Sequence, residues 1–191
     1  MKLKLTPDSG KKEVFNQVKS FLESNDFKII NCDETRPWGG FYVINESQSK
    51  KFIDFFLRDV PNATQQTLGK ISPKILIVES NKRLSWQYHH RRAEVWKVIY
   101  GEAGVVISDT DEVTDLQIKK KDDVIILKQG ERHRLVGTNQ WGIIAEIWQH
   151  TDSKRPSDEE DIVRVQDDLG RKLRLFCTVS NAFKTVTQQH K

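Results

Sequence analysis

The chain has 191 residues, 30% charged and 37% hydrophobic, a balance that fits a soluble protein of one ordinary domain with appendages rather than a disordered chain. No apolar run approaches the roughly 20 residues of a membrane span, and Met1–Pro7 lacks the apolar core of a signal peptide, so no membrane partner is expected and the cytoplasm is the expected location. The net charge of +4 comes from bases interleaved with acids, as where Lys119-Lys120-Lys121 meets Asp122-Asp123 in a polar turn, so no nucleic-acid partner is expected, though anionic small substrates are favoured.

In chain order, Val14, Phe15, Val18, Phe21 and Leu22 mark an amphipathic helix over 11–25, with Ser9 as N-cap, Glu13 in the first turns and Asn25-Asp26 as the stop. Cys32 and Cys177 are far apart and form no CxxC, so both are expected to be reduced and structural. Arg36-Pro37-Trp38-Gly39-Gly40 is a segment that proline and glycine exclude from regular structure. Short runs rich in aromatic and β-branched residues follow and read as strands: 41–44, 52–56, 75–78, 95–100, 104–107, 123–127 and 143–148. Residues 59–73 read as a polar connection, 153–161 as a loop, 162–168 as a strand or arm, and 173–186 as a final amphipathic piece. Many short strands between turns argue for an all-β sandwich or barrel.

The chemistry gathers in Gln87-Tyr88-His89-His90-Arg91-Arg92-Ala93-Glu94, answered later by His133. Successive strand residues face opposite ways, so Gln87 and His89 share a face. If that face lines a barrel and His133 arrives on a neighbouring strand, the pocket gains two imidazoles, a carboxylate and an amide oxygen. Such a set suits a divalent transition metal. A register slip of one would exchange His89 for His90. His150 and His190 have no such context and are expected in solvent.

The spacing Gln87-x-His89, Glu94, Gly101, followed by Asp122-Asp123, Gly130 and His133, resembles the two motifs of the cupin superfamily. The likeness is closer to its type II mannose-6-phosphate isomerases, including the isomerase domain of bifunctional mannose-1-phosphate guanylyltransferases. That branch has LSLQxHHHRAEHW where this chain has Leu84-Ser85-Trp86-Gln87-Tyr88-His89-His90-Arg91-Arg92-Ala93-Glu94-Val95-Trp96. Its RPWG corresponds to Arg36–Gly39, and its EDDIVRxEDxYGR resembles 159–171. The chain departs from the pattern at Arg91, Val95, Asp122 and Lys128, which touch the rim rather than the ligands.

The resemblance implies an all-β cupin (RmlC-like) double-stranded β-helix jelly-roll barrel over 36–171, with an N-terminal helical extension at 1–35 and a C-terminal extension at 172–191. It implies Gln87, His89, Glu94 and His133 as metal ligands, zinc first, with manganese, iron or nickel as alternatives. It also implies a homodimer, and isomerisation of a sugar phosphate, mannose 6-phosphate to fructose 6-phosphate, through a cis-enediol. Arg36, Lys82, Arg83, Arg92, Arg164 and Arg171 are candidates for the phosphate, led by Arg92, which shares Glu94's strand face, and then Arg164. Trp38, Trp86, Trp96, Trp141 and Trp148 read as core or lining, with Trp96 placed to wall the pocket. Glu146 shares strand parity with Ile144 and Trp148 and is the candidate proton-transfer base if it faces inward. A residue of 131–134 is the other option, and Lys97 is disfavoured because it faces away from Glu94. A sugar-binding cupin without catalysis and an iron-dependent oxygenase are the alternative functions.

Overall fold

The computed structural model describes residues 3–61 and 70–168. It opens with α1 (Lys11–Ser24), β1 (Ile29–Asp33), β2 (Gly39–Ile44), α2 (Ser49–Phe56) and β3 (Lys74–Val78). Then come β4 (Trp86–His89), β5 (Arg92–Tyr100), β6 (Glu102–Ser108), β7 (Gln117–Lys120) and β8 (Val124–Leu127). The chain continues through β9 (Arg132–Gly137), β10 (Gly142–His150) and, after a one-turn 3-10 helix at Glu159–Asp161, β11 (Ile162–Gln166). One sheet has the order β1-β2-β3-β10-β5-β8 and the other β11-β4-β9-β6-β7. Every pairing is antiparallel. No helix among the described residues is long and apolar enough to cross a membrane.

Strand parity explains the layers. In β10, Ile143, Ala145 and Ile147 face α1 and α2, joining Val14, Phe15, Leu22, Phe52 and Phe56 in one core. Ile144, between them, faces the second sheet and packs with Leu76, Val98, Val105 and Leu135. The central strands are therefore covered on both sides, which is why β3 and β10 are buried along their whole length rather than at alternate residues. The jelly-roll expectation is met as two facing sheets. They do not close into a barrel: edge strands β7 and β8 leave Ile118 and Ile126 49% and 58% exposed.

Several local expectations are corrected. Residues 52–56 are not a strand but lie in α2, where Phe52, Ile53 and Phe56 bury one face at helical spacing and Phe55 does not. The N-cap of α1 is Gly10, and the Ser9 hydroxyl instead accepts from the Thr6 amide at 3.1 Å. Gly39 and Gly40 join β2 rather than staying irregular. Gly39 has φ +134°, and a Cβ there would collide with the Ile77 carbonyl, so the close approach of β2 to β3 requires glycine. Lys119 and Lys120 belong to β7, leaving the turn at Lys121–Asp123. Cys32 is exposed rather than structural, while Cys177, Arg171, His190 and the piece at 173–186 lie outside the described residues.

Candidate metal centre

Three neighbouring strands of the smaller sheet set the first wall of the site. In β4, Gln87 pairs with Arg164 of β11 on one side and His133 of β9 on the other. Directly opposed residues share a face, so these three side chains stand in one row, with His89 two residues along. The facing wall comes from the larger sheet, where Glu94 pairs with Trp148, Trp96 with Glu146, and Glu146 with Lys74. Glu94 thus reaches across to the histidines.

Among the described residues, His89, Glu94 and His133 bring ligand atoms within 4.8 Å of one another, and all three residues are 2% exposed. His89 Nε2 lies 3.2 Å from Glu94 Oε1, and His133 Nε2 lies 3.6 Å from Glu94 Oε2. Burial lowers the pKa of both histidines, reinforced at His89 by the Arg92 charge and opposed at His133 by Glu94, so both are neutral. With neutral His133, Nδ1 is assigned as the donor to the Glu131 carbonyl at 3.0 Å, which leaves a lone pair on Nε2. That nitrogen is buried without a hydrogen-bond partner. An orphaned imidazole nitrogen beside a carboxylate and a second imidazole fits a divalent transition metal. Gln87 lines the pocket next to this group, its Oε1 accepting from the Ser85 hydroxyl at 2.6 Å. His90 is exposed and stands edge-on to Tyr88, outside the cluster.

The adjoining pocket takes in Arg36, Arg92, Arg164, Trp96 and Glu146, so five residues expected from sequence converge there. Arg92 is engaged more fully than a ligand-binding role suggests. Its Nε donates to Glu94 Oε1 at 2.7 Å and its Nη2 to His89 Nε2 at 3.1 Å. Its Nη1 donates to the Ser157 hydroxyl and the Asp158 carbonyl, and the guanidinium sits 3.6 Å from the centroid of Trp148. Arg36 pairs with Asp33 at 2.7 Å. Arg83 pairs instead with Asp168, and neither it nor Lys82 lines the pocket.

Glu146 faces inward, 4% exposed, accepting at Oε1 from Trp96 Nε1 at 2.9 Å. The same indole nitrogen lies 3.1 Å from Glu94 Oε2. Burial, followed by the negative charge of Glu94, pushes the Glu146 carboxyl up to about 8. Lys97 faces away, 3.7 Å from Asp59. Of the 131–134 alternatives, Glu131 is turned outward, accepting from the Lys128 amide at 3.0 Å. Of the five tryptophans, Trp38, Trp96 and Trp148 line the pocket, while Trp86 and Trp141 are buried away from it.

Sequence reasoning missed Lys74 and Glu159, which face each other at 2.6 Å on the pocket wall. Lys74 shares strand parity with the core residues Leu76 and Val78, and a lysine at such a position was the available signal. His150 is also corrected: it is 1% exposed, accepting from the Ser157 amide at 2.9 Å and lying 3.3 Å from the Ser72 hydroxyl. It fixes the loop that carries Ser157–Asp161.

No curated protein sequence matches the chain. Among solved structures, an oxalate decarboxylase of Bacillus subtilis has 13% identity and a TM-score of 0.48, over 70% of this chain and 30% of that one. Procruciferin, an 11S globulin from Brassica napus, has 14% identity and a TM-score of 0.45, over 64% of this chain and 28% of that one. BH2720 from Bacillus halodurans has 13% identity and a TM-score of 0.40, over 46% of this chain and 67% of that one. The chain therefore spans less than a third of the decarboxylase and globulin chains. The model of the family described as Mannose-6-phosphate isomerase C-terminal matches residues 64–167, more than half of the chain and the stretch that carries Gln87, His89, Glu94, His133 and Glu146. By that match the chain belongs to the mannose-6-phosphate isomerase C-terminal family.

Proposed function

We propose that this chain is a metal-dependent aldose–ketose isomerase acting on a sugar phosphate, in the first place mannose 6-phosphate and fructose 6-phosphate. The observation that carries the reading is a buried His89–Glu94–His133 cluster whose Glu94 shares the Trp96 indole nitrogen with Glu146, a buried carboxyl whose proton affinity lies near neutrality. Isomerisation removes the proton from C2 of the open-chain aldose and returns it to C1 while a second proton passes from O2 to O1, with no net gain or loss of electrons. A group that both takes and gives a proton near pH 7 serves both halves. Glu146 is that group, and the Trp96 indole donating to it fixes where its carboxyl points.

A divalent cation, zinc first, held by Gln87, His89, Glu94 and His133 would supply electrophilic polarisation of the substrate oxygens. Trp38 and Trp148 wall the pocket and limit water at the reacting carbons. Arg36 and Arg164 add positive charge to a lining that also carries Glu94, Glu146 and Glu159.

Purified protein supplied with zinc or manganese is expected to interconvert the two hexose phosphates. Glu146→Gln keeps the shape and should lower kcat by roughly 10²–10⁴, the usual worth of a general acid–base, while metal content stays that of the wild type. Full turnover by Glu146→Gln would remove it from the chemistry. Saturable sugar-phosphate binding with no turnover by metal-loaded protein would instead favour a non-catalytic binding protein. The engagement of Glu94 and His89 by Arg92 is the observation on that side.

A further inference from the structure

The cations of the pocket differ in what neutralises them. Arg36 is held by Asp33, close by in sequence, and Arg92 by Glu94, whose side chain is as buried as its own. At Lys74 the balance is uneven: 9% of its side chain is exposed against 64% for Glu159, although their atoms meet at 2.6 Å. Lys74 is fixed in β3 beneath two aromatic rings, with Nζ 3.7 Å from the centroid of Trp148 and 5.4 Å from that of Phe41. Glu159 comes from a single 3-10 turn outside either sheet. One partner is built into the wall, and the other reaches in from the rim.

We propose that Lys74 is the anchor for the anionic group of the pocket's ligand, a phosphoryl group or similar oxyanion, and that Glu159 is the internal carboxylate this group displaces. The assignment deepens the sugar-phosphate reading of the same pocket and rests on it. A buried ammonium requires a counter-anion, and Glu159 serves when no ligand is bound. A phosphoryl group brings more charge and three acceptor oxygens to the same place. The exchange costs Glu159 little desolvation, because most of its side chain already lies in water. The position also suits the chemistry: Lys74 pairs with Glu146 across β3 and β10, and Glu146 with Trp96 across β10 and β5. Anchor, proton-transfer carboxyl and the indole beside Glu94 thus form one row.

Isothermal titration of the full chain with inorganic phosphate tests this directly. Lys74→Gln is expected to weaken phosphate binding by about tenfold or more, the scale of one charge-assisted hydrogen bond, and Lys74→Arg to restore much of it. Glu159→Gln is expected to tighten binding severalfold, because the competing anion is gone. That sign separates a displaceable carboxylate from a structural one, and the variant leaves β3 untouched if Lys74→Gln fails to fold. Unchanged or weaker binding by Glu159→Gln, or wild-type binding by Lys74→Gln, overturns the proposal. In steady state, Lys74→Gln should raise KM for mannose 6-phosphate while leaving KM for unphosphorylated mannose alone. Phosphate bound through Lys74 by a protein that turns over no sugar phosphate would support the anchor and sink the isomerase reading. Turnover with both KM values unmoved by Lys74→Gln would do the reverse.

Discussion

Arg92 engages two of the three residues of the candidate metal cluster. Its guanidinium donates to Glu94 Oε1 and His89 Nε2, atoms of two residues of the cluster, so the protein cation would compete with a bound metal for these side chains. Arg92→Gln removes the competitor and leaves Glu94 a buried carboxylate without its partner. Breaking such a pair destabilises by about 3–5 kcal/mol. The metal-free variant should therefore melt well below the wild type, and saturating zinc should close most of that gap by restoring the missing positive charge. Isothermal titration of metal-stripped protein should show tighter metal binding by Arg92→Gln than by the wild type. Weaker binding would make Arg92 a residue that orients Glu94 rather than one that displaces a cation. At this scale strand parity put Gln87 and His89 on one face because it acts over a few residues, whereas Glu94 and His133 came with the motif spacing of the resemblance, and the structure gathers His89, Glu94 and His133. The engagement of Arg92 was not legible, since Ser157 and Asp158 arrive from some 65 positions downstream.

Element by element, composition served the strands well and misled at α2. Phe52-Ile53-Asp54-Phe55-Phe56 has the aromatic and β-branched composition of a strand, yet Phe52, Ile53 and Phe56 pack against α1 and the larger sheet as one helical face. Composition favours β structure there, but burying that face against α1 and the sheet outweighs it. The two readings differ in stability. Phe52 is fully buried and Phe55 is 46% exposed. Phe52→Ala should cost about 3–5 kcal/mol by urea denaturation, whereas Phe55→Ala should cost about 1 kcal/mol or less. Equal losses would be inconsistent with the packing described. Lys74 and Glu159 were missed for a related reason. Glu159 looks like an ordinary surface charge in its own segment, and the parity of Lys74 with Leu76 and Val78 does not name a partner; only the 3-10 turn before β11 brings the two together.

Across the whole molecule, the two walls of the site are tied together by ionic contacts from the segment Ser157–Asp161. Arg91, just before β5, donates through its amide and Nε to Asp161 at 3.0 and 3.2 Å, and Ser157 donates to the same carboxylate at 2.7 Å. Lys74 and Arg92 hold Glu159 and the Asp158 carbonyl from the larger sheet. Burial alone would raise the Asp161 carboxyl, but the Ser157 hydroxyl and the Arg91 amide and guanidinium outweigh it and the net shift is downward. A carboxyl that binds its proton more weakly folded than unfolded contributes stability above its unfolded pKa, near 3.8, and loses it as the pH falls through the lower folded value. Asp161→Asn should therefore be less stable than the wild type at pH 7 by about 2 kcal/mol, the scale of hydrogen bonds to a charged group. The difference should persist to pH 5 and shrink progressively below pH 4. Urea denaturation of both proteins across that range measures it. A gap that stays constant into acid would mean that the Asp161 charge contributes nothing, and that the tie holding β11 to the start of β5 is neutral hydrogen bonding alone.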